Sequence, residues 1–439
     1  MIQPISNKKN KFESLNDLNV YDSNKICVVG LGYIGLPTAA VLANAGHQVH
    51  GVDVNPQVVD TLQQGKIHIH EPGLEDFVKK VIQNNRLTVS HSPEEADIFI
   101  ICVPTPFNND HTPDVTFIEK ACQAIRPFVR AGNLIILEST SPPNTTKNIV
   151  VREAIDSEFT VGEDVFVAYC PERVLPGQIL REVVENDRVV GGVTALCTNL
   201  ATSFYRSFVT GKVCSTTSTT AEVVKLVENA YRDVNIAFAN ELSMLADELE
   251  VDVFEAISLA NRHPRVNILT PGPGVGGHCI SVDPWFLIDA APEKTPLIRT
   301  ARLVNDSKPE YVVDQIQAMA VREKITSIGC LGITYKADVD DLRESPSLEI
   351  TKELLKRDFA NILVADPLID QSRITDFKIS SLDKVISECE LIVLLTPHHE
   401  FRNLSPQLLM DKKVFDCAGI WRDCVTEQIE AEWHLPNAA

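Results

Sequence analysis

Lys25-Ile26-Cys27-Val28-Val29-Gly30-Leu31-Gly32-Tyr33-Ile34-Gly35 is the stretch that decides the fold. A short β-branched run reads as a buried strand and feeds directly into glycines at the spacing G-x-G-x-x-G. A helical pattern over 36–44 stops before Gly46, and a second strand over 48–53 closes on Asp53. An acid about twenty residues beyond such glycines is the mark of a dinucleotide-binding turn. Gly30, Gly32 and Gly35, with Tyr33 and Ile34 between them, permit the tight turn, close backbone approach to a pyrophosphate and helix packing. The helix N-terminus adds amide donors and partial positive charge. Asp53 is placed to accept from ribose hydroxyls. Its charge repels a 2′-phosphate, and Val54-Asn55-Pro56 offers no arginine in compensation, so NAD is expected rather than NADP.

Working outward, apolar runs recur with helical stretches between them. Residues 97–103 lead into Pro104-Thr105-Pro106, 134–140 into Ser141-Pro142-Pro143, and 165–170 into Pro171-Glu172-Arg173-Val174. This alternation predicts a parallel sheet with helices on both faces and ligands at the carboxyl ends of its strands. Thr105 and Thr140 stand at such ends, where a hydroxyl either reaches a nicotinamide or closes a local turn. Glu172 stands at another, suited to proton handling or to a solvated surface.

Residues 221–249 carry no strand signal. Lys225, Asn229 and Arg232 or Asp233 share one helical face, which is either a wet stripe or a buried polar line. The last third repeats the first, with strands at 325–332, 362–367, 390–397 and 413–417 and a helix at 347–356. It lacks the glycine fingerprint, so a different nucleotide is expected there, with Lys336 and Arg343 standing where phosphates would lie. The predicted fold class is α/β: two Rossmann-like doubly wound domains joined by a central helical domain with a long helix. The expected boundaries are a frayed extension over 1–23, then domains over 24–213, 214–312 and 313–439.

At 439 residues the chain exceeds one hydrophobic core. A net charge of −20 argues against nucleic acid or an anionic membrane as the main partner. The eleven cysteines form neither a C-x-x-C pair nor a zinc-spaced set, so reduced thiols in the cytoplasm and no metal are expected. No apolar run approaches the roughly 18 residues of a membrane span.

Pro271-Gly272-Pro273-Gly274-Val275-Gly276-Gly277-His278-Cys279 cannot form a helix or central strand. It is a shaped loop ending in a thiol, followed four residues later by Asp283. Taken alone, this is either a nucleophile on a cradle or a turn leading to a buried cysteine. Upstream, Arg262 and Arg265 suit an anionic ligand or a solvated turn alike.

The order Gly-Leu-Gly-Tyr-Ile-Gly (30–35), Glu-Pro-Gly-Leu (71–74), Val-Pro-Thr-Pro (103–106), Cys-Pro-Glu-Arg (170–173), Lys225 with Asn229, Gly-x-Gly-Gly-x-Cys ending at Cys279, and Arg-Glu-Ser (343–345) resembles the UDP-sugar 6-dehydrogenases over nearly the whole chain after residue 23. Segments 261–268, 271–280 and 282–286 look most like the branch acting on UDP-N-acetyl-D-mannosamine; UDP-N-acetylglucosamine and UDP-glucose are the neighbouring alternatives. A two-electron hydroxyacid dehydrogenase, which needs no thiol, and a non-catalytic NAD-binding protein are the remoter ones.

The resemblance implies oxidation of a primary alcohol to a carboxylate with two NAD in sequence. Cys279 would add to the aldehyde, giving a thiohemiacetal and then a thioester for water to hydrolyse. Lys225 would favour the thiolate and stabilise oxyanions, and Asn229 would bond the same oxygen or the water. Glu172 and Asp283 would share proton transfer and water activation. By the same resemblance Tyr33, Asp53, Thr105, Thr140 and Arg343 contact NAD. Arg173, Val174, Lys225, Asn229, Arg232, His263, Arg265, Gly276, Tyr335 and Lys336 line the UDP-sugar site. Pairing into a homodimer through the central helix is also implied.

Overall fold

The computed structural model describes residues 24–421 apart from 70, 109 and 176, so the expected extension over 1–23 lies outside the described residues. The chain divides into two compact units. One comprises residues 24–228 with Trp285–Pro292, the other Asn229–Pro284 with residues 293–421.

The first unit holds strands β1 (Lys25–Val29), β2 (Gln48–Val52), β3 (Leu87–Ser90), β4 (Ile98–Ile101), β5 (Leu134–Leu137), β6 (Phe166–Tyr169), β7 (Arg188–Gly192) and β8 (Val213–Thr217). They form one sheet in the order β3-β2-β1-β4-β5-β6-β7-β8. Every residue of β4, β5 and β6 is buried. Alternate side chains enter separate apolar clusters: Val28, Ile100 and Ile136 in one, Cys27, Phe99 and Ile135 in the other. A strand covered on both faces therefore reads as an unbroken apolar run.

The sheet is mixed rather than wholly parallel, because β7 pairs antiparallel with β6. Strands β3, β7 and β8 were not legible as apolar runs. Their sequences LTVS, RVVGG and VCSTT mix polar or glycine residues into β positions. In β7 a side chain at Gly191 would come within 2.1 Å of the Thr217 carbonyl, so the pairing with β8 depends on that glycine. Strand order reverses between β1 and β4, and this is the point where doubly wound sheets bind ligands.

The helix Ser218–Glu248 runs on into the second unit, which also holds the helices Val253–Ala260, Pro296–Glu323 and Pro346–Arg357. Its sheet is fully parallel, with β9 (Ser327–Leu331), β10 (Asn361–Ala365), β11 (Leu391–Leu394) and β12 (Lys413–Asp416) in the order β10-β9-β11-β12. Among the described residues no helix is long and apolar enough to cross a membrane.

The two sheets repeat one turn. After β1, Gly30 takes φ +92° and donates to the Val52 carbonyl at 2.8 Å, while the Leu31 N–H reaches Asp53 Oδ2 at 2.9 Å. After β9, Gly332 takes φ +81° and donates to the Ala365 carbonyl at 2.9 Å, while the Ile333 N–H reaches Asp366 Oδ2 at 2.8 Å. The seats differ in what covers the acid. Asp53 is half-buried, whereas the Asp366 side chain is 0% exposed, with His398 Nε2 3.2 Å from its Oδ2. The Asp338 N–H donates to His398 Nδ1 at 3.0 Å, so the ring proton sits on Nε2, which is 3.2 Å from both Asp366 Oδ2 and Thr334 Oγ1.

Candidate active site

The turn after β1 fits a dinucleotide. A Cβ built on Gly32 meets no atom within 4 Å, leaving open space beside the backbone. By contrast, a Cβ on Gly35 would lie 1.8 Å from the Gly30 carbonyl oxygen, so the helix that starts there packs where only glycine fits. Tyr33 is 40% exposed at the rim and Ile34 half-buried. Asp53 accepts from Leu31 N–H at 2.9 Å and Asn55 N–H at 2.9 Å, one bond to each oxygen. Each oxygen keeps a lone pair for a ribose hydroxyl. At the end of β4 the Thr105 hydroxyl is buried without a hydrogen-bond partner among the described residues, and so is that of Ser141 after β5. Buried polar atoms are ordinarily paired, which makes these two hydroxyls candidates for a ligand contact.

The loop after β5 carries Thr140, half-buried, and is held from below by Glu222 of the long helix. Glu222 is fully buried and accepts from Asn144 N–H at 2.6 Å, Thr146 N–H at 2.7 Å and the Thr146 hydroxyl at 2.6 Å. Lys225, half-buried, follows one turn later on the same helix. Glu222 therefore ties the threonine loop to the element that carries the lysine.

Glu172, after β6, is buried and accepts one hydrogen bond at each oxygen. Its Oε1 accepts from Arg173 N–H at 2.7 Å and its Oε2 from Arg188 Nη1 at 2.5 Å. Arg188 is 2% exposed, donates to the Val183 carbonyl at 2.8 Å, and lies 5.7 Å from the Tyr205 ring centre. A second acid completes the cluster: Glu138 accepts from Tyr205 Oη at 2.5 Å and from Cys102 Sγ at 3.3 Å. Burial pushes the Glu138 pKa up, and the Arg188 charge pulls back against that shift. Arg173 sends its guanidinium to Glu228 at 2.7 Å and to the Asp187 carbonyl. Val174 packs with Val41, Ile179 and Val183.

The second unit builds the thiol loop. Cys279 is exposed, and its carbonyl accepts from Val282 N–H at 3.2 Å and Asp283 N–H at 2.9 Å, so the thiol opens the turn leading into the helix Asp283–Ala290. Asn229 Nδ2 donates to Asp283 Oδ2 at 2.6 Å, and both residues are buried. The glycines lie against the turn after β9. A Cβ on Gly276 would be 2.2 Å from the Glu344 carbonyl and 2.8 Å from Tyr335 Cβ; one on Gly277 would be 2.8 Å from the Tyr335 ring. Burial, then Asp341 and Cys279, push the Tyr335 pKa up. Arg343 clasps Asp341 through Nε at 2.9 Å and Nη2 at 2.6 Å, and Gly277 N–H donates to the Arg343 carbonyl at 3.2 Å. Partial desolvation of the exposed His278 and then the Arg343 charge shift its pKa below the ordinary value.

Of the sequence-predicted residues, the second unit thus gathers Cys279, Asn229, Asp283, Gly276, Tyr335 and Arg343 around one loop. Lys336 and Arg232 are exposed, and His263 and Arg265 occupy an exposed turn in which Arg265 N–H meets His263 Nδ1 at 3.4 Å. Gly30, Gly32, Tyr33, Ile34, Gly35, Asp53, Thr105, Thr140, Glu172, Arg173, Val174 and Lys225 belong to the first unit. The sequence reading passed over Arg188, Glu138, Glu222 and Asp341. A charge opening an apolar strand, as in Asp187-Arg188-Val189-Val190, is the signal that would have flagged the first of these.

Three models of the UDP-glucose/GDP-mannose dehydrogenase family match the chain: the NAD binding domain over residues 24–209, the central domain over 219–307 and the UDP binding domain over 329–423. The chain is similar to an NDP-N-acetyl-D-galactosaminuronic acid dehydrogenase of Ralstonia solanacearum, with 49% identity over 91% of this chain and 97% of that one. It is similar to a UDP-N-acetyl-D-mannosamine dehydrogenase of Campylobacter jejuni, with 49% identity over 86% of this chain and 96% of that one. Among solved structures, the UDP-N-acetyl-mannosamine dehydrogenase of Staphylococcus aureus matches with a TM-score of 0.82 and 43% identity, covering 90% of this chain and 95% of that one.

Proposed function

Because this chain belongs to the UDP-glucose/GDP-mannose dehydrogenase family of NAD-dependent enzymes, we propose that it oxidises the C6 alcohol of UDP-N-acetyl-D-mannosamine to the carboxylate. The observation that carries the reading is the glycine cradle over Tyr335 that ends in the exposed thiol of Cys279. An alcohol loses one hydride to become an aldehyde, and an aldehyde has no second hydride in position to leave until a nucleophile adds.

Cys279 sulfur adds to the carbonyl carbon and the oxygen takes up a proton, giving a thiohemiacetal. Loss of the second hydride leaves a thioester, and water cleaves the carbon–sulfur bond, releasing the acid and restoring the thiol. Bound NAD supplies the hydride acceptor for both oxidations. Lys225 stabilises the oxyanion, a role typically worth about 3 kcal/mol per donor. Asn229 bonds the same oxygen or the attacking water. Glu172 and Asp283 handle protons and orient that water. Arg173, Val174, Arg232, His263, Arg265, Gly276, Tyr335 and Lys336 are proposed for the UDP-sugar. Tyr33, Asp53, Thr105, Thr140 and Arg343 are proposed for NAD, with the glycine turn beneath it.

The relative named for NDP-N-acetyl-D-galactosaminuronic acid, equal in identity to that named for the mannosamine sugar, favours a galacto-configured substrate as the second reading. Initial rates with the UDP derivatives of N-acetylmannosamine, N-acetylgalactosamine, N-acetylglucosamine and glucose test the choice. The first is expected to lead in kcat/KM by about tenfold or more, with two NADH formed per sugar. Equal or faster turnover of any other would replace it.

A homodimer through the segment 214–312 is part of the proposal. Tyr231, Phe238, Leu245 and Leu249 are each at least half exposed, and their spacings of seven, seven and four residues put them on one side of the helix Ser218–Glu248. Light scattering is expected to give twice the 48.5 kDa chain mass, and a monomer at micromolar concentration would refute it. The proposed setting is the cytoplasm, on the scattered single spacing of the eleven cysteines.

A further inference from the structure

Within the second unit, the helices Ser218–Glu248 and Pro296–Glu323 face each other across polar side chains. Asn229, Asp233, Asn240 and Ser243 project from one helix, and Arg302, Asn305 and Lys308 from the other, none more than 8% exposed. Arg302 Nη1 donates to Asp233 Oδ1 at 2.5 Å, and Asn305 Nδ2 donates to the same oxygen at 2.8 Å. Asn240 Nδ2 donates to Asn305 Oδ1 at 2.9 Å, and Lys308 Nζ to Ser243 Oγ at 2.7 Å.

This line does not end between the helices. Asn240 Oδ1 accepts from Gly272 N–H at 2.9 Å, Arg302 Nη1 lies 3.5 Å from the Ile280 carbonyl, and Asn229 holds Asp283. It therefore grips the thiol loop seven residues before Cys279, directly after it, and four residues after it. A loop of glycines and prolines has few side chains of its own to fix its path.

Buried ion pairs contribute little net stability compared with apolar residues of the same volume, so helix packing alone does not account for this line. We propose that Asp233, Asn240, Arg302 and Asn305 are positioning residues, which set the Cys279 sulfur on the path of the aldehyde carbon. The inference rests on the reading of Cys279 as the nucleophile. It predicts a selective defect: the first hydride transfer, which needs no thiol, survives, while capture of the aldehyde fails.

Two variants test this. Asn240→Ala removes the amide that links Asn305 to the Gly272 N–H, and Asp233→Leu with Arg302→Met replaces the ion pair by apolar groups of similar bulk. In each, acid formation is expected to fall about 10- to 100-fold, the loss that a misplacement near 1 Å brings. The first hydride transfer in a single turnover is expected to stay within about threefold. Free aldehyde is expected to appear and be captured by semicarbazide. Acid formation at the parent rate in either folded variant overturns the proposal. So does an equal loss of both hydride transfers, or failure of both variants to fold, since each would mark the line as purely structural. Failure of the nucleophile reading is seen separately, as acid still made at the parent rate by Cys279→Ala.

Discussion

Cys279→Ala is expected to stop acid formation while leaving NAD binding unchanged. Without sulfur there is no adduct from which the second hydride can leave, so the reaction halts at the aldehyde. Loss of a covalent nucleophile costs on the order of 10³-fold or more in kcat, well beyond what removal of a single hydrogen-bond donor produces. The variant is expected to form at most one NADH per sugar. NAD affinity should hold, because Cys279 is not among the residues proposed to contact NAD. Cys279→Ser should restore little of the rate, since a hydroxyl is a far weaker nucleophile at neutral pH. Titration with NAD, NADH counting and direct assay of the acid decide the matter; two NADH per sugar from the alanine variant would refute covalent catalysis.

Arg188→Met is expected to be the most damaging single change for stability in the first unit, costing about 3–5 kcal/mol because it leaves buried charge uncompensated. Glu172, 7% exposed, would lose the guanidinium 2.5 Å away, and Glu138 the positive charge that counters its burial. The guanidinium also bonds the Val183 carbonyl, so the loss reaches the segment preceding β7. Arg188→Met combined with Glu172→Gln should recover much of the stability, because the stranded charge is gone, but not the activity. Urea unfolding of the two variants and the parent measures both effects, and a single variant as stable as the parent would show that the cluster does not need its cation.

The parts of this fold that the sequence announces are those that obey one rule at a time. Strands β1, β4, β5 and β6 are buried on both faces and therefore read as unbroken apolar runs. The long helix was legible from its period, and the alternative of a buried polar line on it is the one found at Asn229 and Asp233. The helix Pro296–Glu323 was not singled out within the helical domain expected over 214–312: it carries Pro309 inside it and buries Arg302, Asn305 and Lys308. Arg188 was missed for a related reason. A buried charge becomes legible only when its partner is known, and Glu172 lies sixteen residues away in the chain. The glycine turn after β1 was legible because Gly30 and Gly35 are dictated by sterics between backbone atoms.

The imidazole of His398 gives the doubled architecture its arithmetic. It closes over Asp366 in the copy of the turn after β9, while the matching Asp53 after β2 stays half-buried. The proposed oxidation with two coenzyme molecules would then be served by successive visits to the turn after β1. On that proposal, departure of the first reduced coenzyme would set when the latter half of the reaction begins.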